Sequence, residues 1–346
     1  MRSLGALIFG LLADRYGRRK PLMANVISSR SSNFATALLQ TTPCSSSCAL
    51  FMELAWEASG EWDPPLAMQS APPRWRGVLS GIVQSGYSIG YLLAAVAARL
   101  ILPVWGWRAM FWVGGIPALL ALYIRSKVKE SEAWKRHHAP TVAAIFQTVR
   151  DHRKLFGYLV LLITCMMFLS HGTQDLYPHF LQSVHAFPTS RVATIVIVYN
   201  IGAVFGAIFF GHLSESIGRR RSMLTALGLS LAVIPVWAFG RSLATLMVGA
   251  FLIQVGVQGA RGIIPAHLNE MSPHAVRGRL PGFAYQLGIL IAAPTNNLEY
   301  ALRDRFGYSW ALAGFDTVNI PLLAMIIALG KGKKGRSFLE HSDGLT

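Results

Sequence analysis

Long stretches of this chain carry no charged residue at all. They occupy 77–98, 109–124, 155–170, 192–214, 222–240, 242–260 and 280–298. A helix rises 1.5 Å per residue, so about 20 apolar residues cross a hydrocarbon layer of ~30 Å. In lipid every backbone amide and carbonyl must pair within its own segment, so such runs are read as helices. One or two of them could be core helices of a water-soluble protein, but seven could not. The pattern predicts an all-α, multi-pass membrane protein.

Composition sharpens this. Only 14% of residues are charged against 53% apolar, and the mean hydropathy is +0.42, well below the roughly 25% charge of soluble domains. The net charge of +16 raises nucleic acid as a partner, but the placement of the charge argues against it. The clusters at 14–20, 74–76, 125–154, 219–221, 277–279 and 331–336 hold 23 of the 32 Lys and Arg. If they share one side, the other side holds six: Arg99, Arg108, Arg191, Arg241, Arg303 and Arg305. That asymmetry places the basic loops and the C-terminus in the cytoplasm of a plasma (inner) membrane, with anionic lipid headgroups as electrostatic partners. Cys44, Cys48 and Cys165 match neither a zinc spacing nor a disulfide framework. With no nucleophile elbow, metal-spaced cluster or phosphate-binding glycine loop, neither an enzyme nor a bound metal or cofactor is expected.

The halves of the chain repeat one plan. Gly10-Leu-Leu-Ala-Asp14-Arg15-Tyr-Gly17-Arg18-Arg19-Lys20 aligns with Gly211-His-Leu-Ser-Glu215-Ser-Ile-Gly218-Arg219-Arg220-Arg221 at an offset of 201 residues. Gln69 through Arg76-Gly77 aligns with Glu270 through Arg277-Gly278 at the same offset. Two motifs at one spacing indicate a duplicated bundle with parallel repeats. An acid at the end of one helix can accept from the N-terminus of a neighbour, where the macrodipole favours negative charge. Gly17 and Gly218 allow a tight turn, and the basic trio after them can pair with carboxylates of adjacent helices. These residues suit a cytoplasmic latch.

The first motif resembles the loop-2–3 signature of the major facilitator superfamily, and 211–221 its degenerate second copy. The resemblance implies two six-helix bundles around a cavity open alternately to either side. On that template the chain starts at the second helix, with the first missing and about 10–11 spans remaining. The helices fall at roughly 3–13, 21–40, 45–70, 77–101 and 106–125, then 155–183, 192–213, 221–239, 241–268, 279–300 and 308–330. The domains are 1–125, a basic loop 126–154, 155–330 and a tail 331–346.

The seventh helix carries Ser170-His171-Gly172-Thr173-Gln174-Asp175. Ionisable residues in a span face water or each other. His171 and Asp175 are four apart and share a helix face, which Gln174 joins. Such a pair lining an aqueous cavity exchanges protons near neutral pH. The competing reading is that the polar run marks the outer helix end. The segment resembles the seventh-helix motif of Jen-type lactate and monocarboxylate/proton symporters, a group that includes sialate/proton symporters. Met167 and His179 depart from that motif. The resemblance implies His171 and Asp175 in proton coupling, Thr173 and Gln174 as substrate hydrogen-bonders, and a small carboxylate plus a proton as cargo of a monomeric carrier.

Weaker cavity candidates are Gln84, Tyr87 and Tyr91 on the fifth helix, Tyr199-Asn200, Gln254, Gln258 and Tyr285-Gln286. Each could equally be an interhelical hydrogen-bond pair. Arg261 lies inside the tenth span, where it either holds a substrate carboxylate or is a chance replacement of the aromatic residue usual in the family. In the N-half, Gly60-Glu61-Trp62 keeps part of the group's fourth-helix signature, but Asp63-Pro64-Pro65 follows. Residues 28–65 look locally replaced, and Gln69 stands where the second half keeps Glu270. Two alternatives to a carboxylate carrier follow: a non-transporting remnant of one, and a sugar porter.

Overall fold

The structure is a computed structural model that describes residues 75–127, 147, 149–273 and 280–330. Gly10, Asp14, Arg15, Gly17, Arg18, Arg19, Glu61, Arg277 and Gly278 lie outside the described residues, as do the second to fourth helices, the stretch 28–65 and the tail.

All regular structure among the described residues is helical. In chain order the helices are α1 (Arg76–Lys127), α2 (Arg153–Gly172), α3 (Tyr177–Ser183), α4 (Thr189–Ile217) and α5 (Arg219–Phe239). They continue with α6 (Leu243–Met271), α7 (Leu280–Ala292), α8 (Thr295–Phe306) and α9 (Tyr308–Leu329). α1 is two helices joined at Gly106, whose φ of 73° and ψ of −179° break the helical path. Six stretches among the described residues are long and apolar enough to cross a membrane: 76–106, 153–183, 189–217, 219–239, 243–271 and 308–329. The core is apolar, but large apolar side chains also face outward and several polar ones are buried. Ile201, Phe205 and Phe209 form an exposed apolar stripe on α4, as do Val318, Leu322, Met325 and Leu329 on α9. Asn200, Gln254, Gln258, Arg261, Asp316 and Asn319 are buried. This is the arrangement a lipid solvent selects.

The chain divides into two compact units. One combines Met1–Asp63 with Ala97–Asp151, and its described part is mainly the remainder of α1, where Val104 and Trp105 are exposed. The other joins Pro64–Val96 to His152–Thr346, so the start of α1 clusters with the residues that the sequence assigns to the second bundle. Within this second unit α6 packs against α4 and α5, α7 against α2, and α9 against α5, α8 and α2.

Two expected spans are interrupted. The 155–183 helix ends at Gly172 and restarts at Tyr177. Pro178 lacks the amide that would continue the ladder to Gln174, and it sits in the first turn of the restarted helix, where no such amide is needed. The 279–300 helix breaks near Pro294 and then runs on to Phe306.

Candidate functional site

The latch residues within the described region come together. Gly218 has a φ of 93°, which lets the chain leave α4 and enter α5 in one residue. That turn points Arg219 back into the bundle. Its Nη1 lies 2.9 Å from Glu215 and donates to Ser214 Oγ at 2.7 Å, while Nη2 donates to Glu270 Oε1 at 2.9 Å. Nε also faces the Glu270 carboxylate. Arg219 and Glu270 are buried, and such charge-assisted forks hold both position and orientation. Glu215 also accepts from the Gly77 amide in the first turn of α1, the helix end where negative charge is favoured. Gly77 and Gly211 are where the helices cross: a Cβ on Gly77 would come within 2.5 Å of the Gly211 carbonyl, and the reverse holds too. Arg76 is buried beside this crossing. On the neighbouring face, Arg220 donates to the Ile327 and Ala328 carbonyls and caps the end of α9.

A second polar cluster lies where α2 meets α6. Gln254, Gln258 and Arg261 share one face of α6 at i, i+4 and i+7 spacing, and all are buried. Ser170 Oγ accepts from Gln258 Nε2 and from Arg261 Nη1, each at 3.1 Å. Gln254 Nε2 donates to Thr173 Oγ1 at 3.0 Å, and Gln174 Nε2 donates to Gln254 Oε1 at 3.0 Å. The Arg261 guanidinium also lies 4.7 Å from the centre of the Tyr87 ring, a cation–π distance. Tyr87 packs on Tyr91 with ring centres 4.9 Å apart.

His171 Nδ1 lies 3.1 Å from Asp175 Oδ2, and both side chains are 26% exposed. Gln174 does not join them, contrary to the one-face expectation. The helix ends at Gly172, so the turn that follows sends Gln174 onto α6 and Asp175 back over His171. The polar run is therefore a helix end, yet Ser170, Thr173 and Gln174 are at most 3% exposed. Of the remaining candidates, Gln84 is half-buried with an amide nitrogen that has no hydrogen-bond partner among the described residues, and Tyr199 and Gln286 are buried. Asn200 donates to its own helix at Val196.

Two carboxyls emerge that the sequence reading did not single out. Glu299 of α8 and Asp316 of α9 are both 0% exposed. All four of their oxygens are buried without a hydrogen-bond partner among the described residues. A signal did exist: Asp316 is the one charged residue between 308 and 330, and an ionisable group inside a span marks function by default.

Comparison with known proteins gives this geometry its setting. A carboxylic acid transporter protein homolog from Saccharomyces cerevisiae is 28% identical over 338 residues, 88% of this chain and 54% of that protein. The chain thus spans about half the length of that relative. The sialic acid transporter NanX of Escherichia coli K12 is 26% identical over 304 residues, 85% of this chain and 73% of NanX. Among solved structures, the human organic anion transporter MFSD10 has a TM-score of 0.79 at 15% identity, over 94% of this chain and 80% of that one, which shows a shared fold. The profile of the Major Facilitator Superfamily matches residues 2–294, so the chain belongs to the Major Facilitator Superfamily.

Proposed function

We propose that this chain acts as a secondary carrier that moves a small carboxylate together with a proton. The observation that carries the reading is the Arg261 cluster. A buried guanidinium inside a span sits against the Ser170 hydroxyl and the Tyr87 ring, at the end of the helix that bears His171 and leads into the turn with Asp175. Placing Arg at mid-membrane costs roughly 2.5–3.5 kcal/mol on insertion scales, a cost offset when it faces a polar path and binds an anion. Arg fits a carboxylate because its fork donates two parallel hydrogen bonds. Ser170, itself held by Gln258, accepts from that fork, and Tyr87 supplies a π face to it.

The proton side of the reading rests on His171 and Asp175. Their contact at 3.1 Å is partly open, as a group that must exchange protons with water requires. Protonating either member changes the charge beside the anion path, and that links the two cargoes. The relatives named as carboxylic acid and sialic acid transporters support a carboxylate over a sugar. In the same reading the Arg219 cluster is a latch on the cytoplasmic side, formed when the path is closed there. The basic loop 126–154 and the tail lie on that side of the plasma membrane, and the carrier works as a monomer.

Reconstitution tests this directly. Proteoliposomes are expected to take up labelled lactate or sialic acid faster when the outside is acidified, and Arg261→Gln is expected to abolish that uptake. Folded protein that moves neither compound, or undiminished uptake by Arg261→Gln, contradicts the reading.

A further inference from the structure

Glu299 and Asp316 belong to neither the latch nor the Arg261 cluster. α8 and α9 form a hairpin about Gly307, and they pack on each other and on α2. Glu299 stands eight residues before that glycine and Asp316 nine after it, so in an antiparallel pair they are level, about 12–14 Å from the turn. α8 is exposed along most of its length, and Glu299 and Thr295 are the residues it buries. Asp316 lies on the core face of α9 with Leu312, Ala313 and Asn319. Its Oδ1 is 3.2 Å from where a Cβ on Gly172 would stand, which places it against the end of α2.

Two carboxyls fully out of water, with no donor on any of their oxygens among the described residues, cannot both be ionised without a bound counter-charge. An isolated buried carboxylate is so costly that it takes up a proton or a cation instead, and a second acid beside it raises that cost. We propose that Glu299 and Asp316 form one proton-binding pair, loaded in this arrangement, and that Asp175 connects it to the His171 and Arg261 cluster. Its role in coupling rests on the carrier reading above, whereas its protonation does not.

The surrounding charges favour a proton. Asp175 lies within electrostatic reach of Glu299 and, on the other side, of Tyr87, so it is the acid shared between the pair and the Arg261 cluster. On α2 the ionisable groups are His171, which faces Asp175, buried Cys165, Tyr158 near Gly330 at the far end of α9, and exposed Arg153 and Lys154 at the start of the helix. The α5 arginines are also at that far end, where Arg220 caps α9. On α3, Tyr177 stacks on Trp237 and His179 is exposed. At the hairpin turn Arg303 is occupied by Asp304, Tyr300 and Tyr308. The step is simple in balance: a carboxylate oxygen takes one proton from water entering on one side and returns it to water on the other, with no change in oxidation state.

Infrared titration of the purified wild type and the Glu299→Gln/Asp316→Asn double variant reads the pair without transport. The wild type is expected to show a protonated-carboxyl band at neutral pH that the double variant lacks. An equal band in both, or none in the wild type, overturns the proposal. In proteoliposomes each single variant is expected to lose the pH dependence of labelled-lactate uptake. Variants that keep the wild-type pH profile, or wild-type uptake driven by a sodium gradient in place of a proton gradient, also overturn it. Wild-type liposomes that move no lactate, with the band present, sink the carrier reading and leave the proton pair standing.

Discussion

The bundle buries acids in two places and treats them differently. At the latch, Glu215 and Glu270 share Arg219, with Ser214 and the Gly77 amide filling further hydrogen-bonding positions. At the α8–α9 hairpin, Glu299 and Asp316 are fully buried, and none of their oxygens has a hydrogen-bond partner among the described residues. The first site is satisfied as ions and holds two helix crossings in register. The second is satisfied only by a proton. Burial alone therefore does not define the role of a membrane carboxylate; the presence of a fixed counter-charge does. One site has a counter-charge that travels with the fold, and the other takes its partner from solvent.

The contrast can be broken by substitution, and the largest effect is expected at the latch. Arg219→Leu strands Glu270 and Glu215, and removing one partner of a buried ion pair costs ~3–5 kcal/mol. Thermal unfolding in detergent should show a marked loss of stability. Gly77→Ala adds a Cβ against the Gly211 carbonyl, and overpacking of this kind costs ~1–3 kcal/mol, read in the same assay. Gln254→Leu removes the bonds to Thr173 and Gln174 and is expected to cost only ~0.6 kcal/mol, the average for interhelical hydrogen bonds in membranes. The smallest stability effect is expected for Asp316→Asn, within about 0.5 kcal/mol at neutral pH, because a neutral amide replaces a group already neutral. A destabilisation there as large as that of Arg219→Leu would erase the distinction between the sites.

Much of this was legible in the sequence. The uncharged runs located the helices, since lipid demands apolar length, and 192–213, 221–239 and 308–330 fall within a few residues of α4, α5 and α9. The 201-residue offset singled out Gly77, Gly211, Glu215, Gly218, Arg219 and Glu270, which the structure brings to one crossing. Apolar length did not locate the break after Gly172, because it counts side chains and ignores the amide that Pro178 lacks. That break decides where Gln174 points. The acid pair was hidden for another reason. Glu299 sits in a polar stretch that reads as a helix end, and only the hairpin at Gly307 sets it level with Asp316. Likewise, the i, i+4, i+7 row of Gln254, Gln258 and Arg261 was visible as spacing, but its partners on α2 were not.

The most direct test of proton-coupled carboxylate transport is the lumenal pH of sealed proteoliposomes, followed with a trapped dye while lactate is added outside at equal pH on both sides. The account predicts that lactate entry by the wild-type protein acidifies the lumen and that Arg261→Gln leaves it unchanged. Lactate entry without any change in lumenal pH would contradict it.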